Sequence, residues 1–198
     1  MEKSIEERIE ALEKKVSDLT REKQTKIRKS LRVGDVFQLV GLTWKILDIT
    51  EQGYMCQAVD PWKKVQFDSD SNNWAESALR RELYELADTI ANAVGVDNIV
   101  PFERNLISLD GQTEYGTCTD RVSLLEFDEY RKYRSLLPNT DDYWWWLLTP
   151  WSTACNDDST WLSVVSPSGR LISYYCDYLI GVRPFCILSS AIFESEDK

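Results

Sequence analysis

The hydrophobic period of this chain switches at Leu31, dividing it into a helical leader and a body of short strands. Before the switch, Ile5, Ile9, Leu12, Val16 and Leu19 recur at 4-3-4-3 spacing, the seam of a heptad repeat. The spacing predicts a helix from residue 4 to about 28, within an N-terminal segment 1–30. Ile9 and Val16 take a positions, and Ile5, Leu12 and Leu19 take d positions. Ser4 and Glu7 fit a capping box, and acids lead and bases trail, as the helix dipole prefers. The seam fails where Lys23 and Lys26 fall on the next a and d positions. So short a helix is marginal alone, so its stripe needs a partner. Either copies of the chain associate as a homo-oligomer through residues 5–19, or the helix packs on its own domain. Charged faces on both sides of the narrow stripe favour the coiled coil, and β-branched a positions lean towards two strands, with three open.

After the switch, Val33–Val40, Thr43–Thr50 and Gly53–Val59 are β-rich runs punctuated by Gly34, Gly41 and Gly53, the pattern of an antiparallel meander. A polar loop, Asp68 to Asn73, precedes a strong helical stripe of Leu79, Leu83, Leu86, Ile90 and Val94, with Gly95 as its stop. A second, shorter helix is predicted from Asp128 to about Leu137, ended by Pro138, with Phe127 as a hydrophobic staple. Beyond Asp141 the chain alternates apolar runs with turns at Pro150, Pro167, Gly169, Gly181 and Pro184. The expected fold is α+β, with two helices and short antiparallel strands in one domain, 31–193, followed by an acidic tail, 194–198.

Composition removes several functional classes. The chain has no histidine, which eliminates most general-base, triad and zinc chemistry. Gly111 and Gly116 lie in an ordinary polar loop and form no phosphate cradle. Cys56, Cys118, Cys155, Cys176 and Cys186 contain no CxxC pair; free, mostly buried thiols are expected, with a Cys176–Cys186 bridge as the alternative. Asp157, Asp158 and Asp177 stand beside Cys155 and Cys176, and nearby acids raise a thiol pKa, the wrong direction for a nucleophile. Asp141–Asp142 and Asp157–Asp158 lack the spacing of a calcium loop and read as solvated turns. No catalytic residue, cofactor or metal is therefore expected.

Charge narrows the partners. The net charge is −10, and ten Lys/Arg against seven Asp/Glu leave residues 1–32 at +3, so the remainder carries −13. Such a domain is repelled by phosphate backbones and anionic lipid, so neither nucleic acid nor membrane is an expected partner. No apolar run reaches the ~18–20 residues that span a bilayer, and MEKSIEERIE lacks the apolar middle of a secretory signal. The protein is expected to be cytoplasmic as synthesised, leaving the cell only by lysis, a contact-dependent route or association with a phage particle.

The C-terminal block is richest in signal. In Tyr143-Trp144-Trp145-Trp146-Leu147-Leu148-Thr149-Pro150, strand alternation sends Trp144 and Trp146 to one face and Trp145 to the other. Gly181-Val182-Arg183-Pro184-Phe185 enters a last strand, Cys186-Ile187-Leu188. Arg183, inside an apolar run, is expected in a structural ion pair. Trp74 with Leu79-Arg80, then Thr119-Asp120-Arg121-Val122-Ser123-Leu124-Leu125, then the WWWLLTP run and GVRPF, occur in that order. From Trp74 to Phe193 the chain thereby resembles the variable proteins of diversity-generating retroelements, found in gut bacteria and phages.

The resemblance implies a C-type-lectin fold of the formylglycine-generating-enzyme subtype, and a variable region of about 150–185. In such proteins a reverse transcriptase copies a template with errors at adenines, so varied NNY codons never encode Lys, Glu, Gln, Met or Trp. Tyr133 to Phe193 contains no Lys, Glu, Gln or Met, and Trp161 is accordingly assigned to the scaffold with Trp144, Trp145, Trp146 and Arg183. The ligand-binding set is then Asn156, Asp157, Asp158, Ser159, Thr160, Ser163, Arg170, Ile172, Ser173, Tyr174, Tyr175, Asp177, Tyr178, Leu179 and Ile180. From Tyr174 to Ile180 this set follows no strand or helix period, and its Tyr, Ser, Asn and Asp are the vocabulary of antibody loops. The Glu-Pro-Asn and Gln-Pro-Asp triplets of calcium-dependent sugar sites are absent; Leu137 precedes Pro138-Asn139. The expectation is a non-enzymatic display protein for a macromolecular ligand, itself a protein. Its rivals are a fixed receptor-binding or structural component of a phage particle, and a formylglycine-generating-type oxidase using Cys176 and Cys186.

Overall fold

A computed structural model describes Ile9, Leu12, Lys14, Lys15 and residues 31–193. Ile9, Leu12, Lys14 and Lys15 are helical, and Ile9 and Leu12 are exposed. The rest of the predicted seam, and the acidic tail 194–198, lie outside the described residues.

Strands β1 (Val36–Leu39), β2 (Leu42–Thr50) and β3 (Gly53–Ala58) form the antiparallel meander that the glycine spacing predicts. After β4 (Lys63–Val65) and a single 3₁₀ turn at Trp74–Glu76 comes α1 (Ala78–Val94). Ser77 caps its first turn by accepting from the Arg80 amide, while the Asp68 carboxylate accepts from the Ala78 amide, satisfying two of the four donors a helix start leaves free. Its stop is Gly95 at φ 94°, as the sequence predicts. Short strands β5 (Ile99–Val100), β6 (Phe102–Asn105), β7 (Thr117–Asp120) and β8 (Val122–Ser123) follow.

Helix α2 is Phe127–Tyr133 and continues as a 3₁₀ turn, Arg134–Leu136. It therefore starts one residue earlier than the sequence suggests, and its α-helical part ends sooner. Phe127 is its first residue and not a staple outside it, because its amide is satisfied by the Thr149 hydroxyl. Pro138 disfavours α conformation at Leu137, and the tighter turn lets Leu137 enter the core. The chain then forms β9 (Trp145–Pro150), β10 (Trp161–Val165), β11 (Leu171–Tyr175), β12 (Ile180–Val182) and β13 (Phe185–Leu188).

These strands make a six-stranded sheet, ordered β1-β2-β3-β13-β5 with β8 also on β13, and a five-stranded sheet ordered β11-β10-β9-β12-β4; β6 and β7 pair separately. Pairing is antiparallel except for the contact of β12 with β9 at Gly181 and Trp145. The protein is thus mixed α+β, mostly sheet with two α-helices within residues 31–193. Strand alternation fills two cores. Trp146, Leu148, Cys186 and Leu188 enter the larger one under α1, while Trp145, Leu147, Phe185 and Ile187 enter a second one under α2. No helix among the described residues is long and apolar enough to cross a membrane.

Candidate functional site

The motif pieces, far apart in sequence, meet in space. The Asp120 carboxylate, fully buried, accepts from Trp74 Nε1 at 2.7 Å and from Arg80 Nε at 2.7 Å, locking the start of α1 to the end of β7. Gly181 pairs with Trp145, and its amide donates to the Trp144 carbonyl at 2.8 Å. A Cβ at Gly181 would sit 2.7 Å from that same oxygen, so only glycine permits this approach. Trp145 and Trp146 are buried.

Arg183 corrects the expected ion pair. It is buried, and its guanidinium carbon lies 4.6 Å from the Trp145 ring centroid while Nε donates to the Ala58 carbonyl at 2.9 Å. Among the described residues neither Nη atom has a hydrogen-bond partner. The indole face takes the place of the carboxylate, and burial pushes the guanidinium down to about 10.

The loop from Trp151 to Thr160 lies between β9 and β10, as the sequence places it, and its backbone is held from outside. Asn72, fully buried, donates from Nδ2 to the carbonyls of Ser152 at 3.0 Å and Trp161 at 2.9 Å. The Asn72 amide donates to Ser159 O at 2.6 Å, and Tyr115 Oη fixes the orientation of Asn72 by donating to Oδ1 at 2.7 Å. The Glu114 carboxylate accepts from the Cys155 amide at 2.9 Å. Asp110 accepts from Ser108, from Ser152 Oγ at 2.7 Å and from Asn156 Nδ2 at 3.1 Å. Within the loop, the Thr153 carbonyl accepts from the amides of Asn156 and Asp158, and Asp157 takes the left-handed conformation at φ 55°. Asn156 and Asp157 are exposed; Asp158, Ser159 and Thr160 are half-buried. Asn72, Asp110, Glu114 and Tyr115 are absent from the sequence-derived site, since nothing local marks partners some forty to ninety residues away.

Hydrogen bonds from Ser108 and Ser152 hold the Asp110 carboxyl at about 2. A carboxyl held low contributes stability that is present above the unfolded value near 3.8 and lost as pH falls through the folded value. The amide and side-chain NMR signals of Ser152 and Asn156 should therefore titrate with a midpoint near 2. A midpoint at 3.8 or above would show that Asp110 does not tether the loop.

The segment from Arg170 to Ile180 is more ordered than the sequence suggests. Leu171–Tyr175 is a regular strand at the edge of the five-stranded sheet, followed by a turn at Cys176 and Asp177 and a bend at Tyr178. Its apparent lack of period arises because an edge strand half-covered on both faces carries large side chains on each. Register splits the tyrosines: Tyr174 pairs with Leu162, and Tyr175 with Trp161. Tyr174 packs edge-on against Trp144 (ring centroids 5.5 Å) and Tyr178 (5.2 Å), while Tyr175 lies over Trp161 at 3.9 Å. The three tyrosines thus belong to two surfaces.

Three expected contact residues are corrected. Ser163 and Ile180 are buried, Ser163 because it faces inward from a central strand. Ile172 is half-buried against the larger core. Arg170, Tyr175, Asp177, Tyr178 and Leu179 are exposed, and Ser173 and Tyr174 half-buried. Trp144 and Trp161, assigned to the scaffold, are half-buried and border the exposed aromatics. Trp151, also within residues 150–185, is exposed and lies outside the sequence-derived set.

Two hollows flank Leu179. One, of about 190 Å³, is walled by Trp144, Tyr174 and Tyr178, with Asp142 and Lys64 on its lining. The other, of about 600 Å³, includes Asp68, Asp70, Glu76, Glu82 and Arg81. All five cysteines are free, and Cys186 faces Cys56 across β13 and β3, so the alternative Cys176–Cys186 bridge is not formed. Burial pushes the Cys176 thiol up to about 11 and Cys186 well above its ordinary value. Among the described residues no three His, Cys, Asp or Glu side chains cluster so as to hold a metal ion. No protein-family model, curated protein or solved structure matches the chain.

Proposed function

We propose that this is a non-enzymatic display protein: a C-type-lectin-like scaffold presents residues 156–160 and 170–179 to a protein ligand, and a retroelement diversifies them. The reading rests chiefly on how the 151–160 loop is held. Asn72 bonds only main-chain atoms there, the carbonyls of Ser152, Ser159 and Trp161, and Glu114 accepts from a main-chain amide. Main-chain tethers are indifferent to side-chain identity, so exposed positions can change while the loop keeps its shape. A pre-shaped loop also spends little ordering entropy on binding.

Further support comes from the resemblance in the WWWLLTP and GVRPF runs and from the absence of Lys, Glu, Gln and Met between Tyr133 and Phe193. Trp151, which NNY codons cannot encode, takes a fixed position within the window. An oxidase using Cys176 and Cys186 is disfavoured, because both thiols are held away from the thiolate that such chemistry uses. Exposed Ile9 and Leu12 suit a coiled coil that gathers copies, so weak single sites gain avidity.

The test is a library in which Ser159, Thr160, Ser173, Tyr174, Tyr175, Asp177, Tyr178 and Leu179 are replaced from the NNY set, while Asn156, bonded to Asp110, and Asp157, in the left-handed conformation, are kept. Substitutions at sites without structural duty usually stay within about 0.5 kcal/mol each. Most members should therefore fold, with a cooperative melt near the parent's. If most fail to fold, these side chains are structural and the display reading falls. Independently, the gene's locus should carry a reverse transcriptase and a near-copy of the 150–185 coding segment differing opposite template adenines. Finding neither would remove the diversification.

A further inference from the structure

We infer that the hollow beside Tyr174 receives a lysine or arginine side chain from a basic surface of the partner protein. This deepens the display reading and rests on it, since it names the chemistry that this copy of the surface selects. The hollow of about 190 Å³ is bounded by Trp144, Tyr174 and Tyr178. Trp144 and Tyr178 each meet Tyr174 edge-on, at interplanar angles of 64° and 66°, so successive rings turn towards different directions around a common space. Gly181 is on its lining, and a Cβ there would meet the Trp144 carbonyl, the Tyr143 ring and Pro61. Tyr143 is itself fixed by its hydroxyl bond to the Val59 carbonyl. Rings presented around a small volume attract cations by their quadrupoles, and Trp is the strongest of them. Asp142 at the lining is exposed and adds a negative charge.

The surroundings extend the preference from one cation to a basic surface. Across Leu179, 70% exposed, lies the hollow containing Asp68, Asp70, Glu76 and Glu82. Within that hollow Arg81 is the opposing charge, and Glu82 is partly neutralised by Lys63. Residues 33–198 carry −13, so the long-range field also draws a positive partner. Lys64 on the lining opposes a bound cation and thereby supplies a control of opposite sign. One wall of the hollow, with Trp144 and Gly181, belongs to the motif runs, whereas Tyr174, Tyr178 and Leu179 lie in the segment proposed to vary. Other versions of this surface would keep the cavity and change its occupant.

The probe is N-acetyl-lysine methylamide, titrated into the isotope-labelled full chain at constant ionic strength, with the Trp144 indole N–H followed by NMR. Its Nε-acetylated form is the neutral control, N-acetyl-arginine methylamide the second cation, and tetramethylammonium the small-ligand control. The lysine and arginine probes should shift Trp144 saturably, with millimolar affinity, and the neutral form should bind about tenfold or more weakly. Tyr174→Ala and Tyr178→Ala should each weaken binding about two- to fivefold, Asp142→Asn about twofold, and Lys64→Gln should tighten it about twofold. An unchanged Trp146 indole signal verifies that each variant is folded. No shift, or an equal shift from the neutral probe, would overturn the inference. Binding of tetramethylammonium without either amino-acid probe would overturn it too, in favour of a small quaternary ligand. If the hollow ignores cations while the loop library folds, only the occupant is lost and the display reading stands.

Discussion

Asp120→Ala is expected to lower the unfolding free energy by about 3–5 kcal/mol, the usual cost of removing one partner from a buried, hydrogen-bonded charge pair. The carboxylate side chain is wholly inaccessible, and the Arg80 side chain keeps only 15% of its accessibility. Without it, the Trp74 indole N–H loses its partner in the core, and Arg80 retains only the carbonyls of Ala75 and Thr119. Burying unpaired donors costs more than forming the bonds gained. Asp120→Asn should fall between wild type and Ala, because an amide oxygen can still accept from one donor but carries no charge. Urea denaturation measures the effect, and a cycle with Arg80→Met isolates the pair. A loss below about 1 kcal/mol for Asp120→Ala would mean that the contact is replaceable by water and does not lock α1 to β7.

Trp146→Ala should cost a comparable amount, about 3–5 kcal/mol, as large-to-small changes of buried aromatics do. Trp146 is fully buried, donates from Nε1 to the Val65 carbonyl at 3.1 Å, and meets Phe67 edge-on at 6.0 Å. It touches β4 from β9, although β12 lies between them in the sheet order, so its loss opens a cavity where three strands and α1 converge. For a domain of this size the melting temperature should drop by roughly 6–20 °C. Trp144→Ala, half-buried beside Tyr174, should cost far less stability while removing a wall of the cation hollow. Equal losses from the two substitutions would contradict the division of the tryptophan run into a core position and a surface position.

The alternation that sends Trp145 to one core and Trp146 to the other was legible in the sequence, because period-2 alternation in a strand is a local rule, whereas the half-exposure of Trp144, on the same face as Trp146, was not. The same locality made α1 legible: its leucines recur at helical spacing, and Gly95 ends it where the pattern ends. The meander was legible through its glycines, and the 156–160 loop through a polar run between apolar ones. Other elements escaped. Strand β11 looked aperiodic because an edge strand half-covered on both sides has no single apolar face to advertise. Ser163 reads as a contact residue in the sequence because a small polar side chain in a central strand looks like any loop serine. Trp151 carries no local signal that sets it apart from its neighbours.

The sequence by itself therefore determined the α+β composition of the body, the long helix with its stop, and the alternation through Trp144, Trp145 and Trp146. These follow from interactions among residues a few positions apart, whose geometry the backbone period sets in advance. Only the tertiary structure decided that Arg183 rests on Trp145 without a carboxylate, and that Asn72 holds the 151–160 loop by its main chain. Only the tertiary structure, likewise, set Tyr174 against Trp144 and Tyr175 over Trp161. Each of those outcomes depends on which distant strands become neighbours, and no spacing within a single segment carries that information.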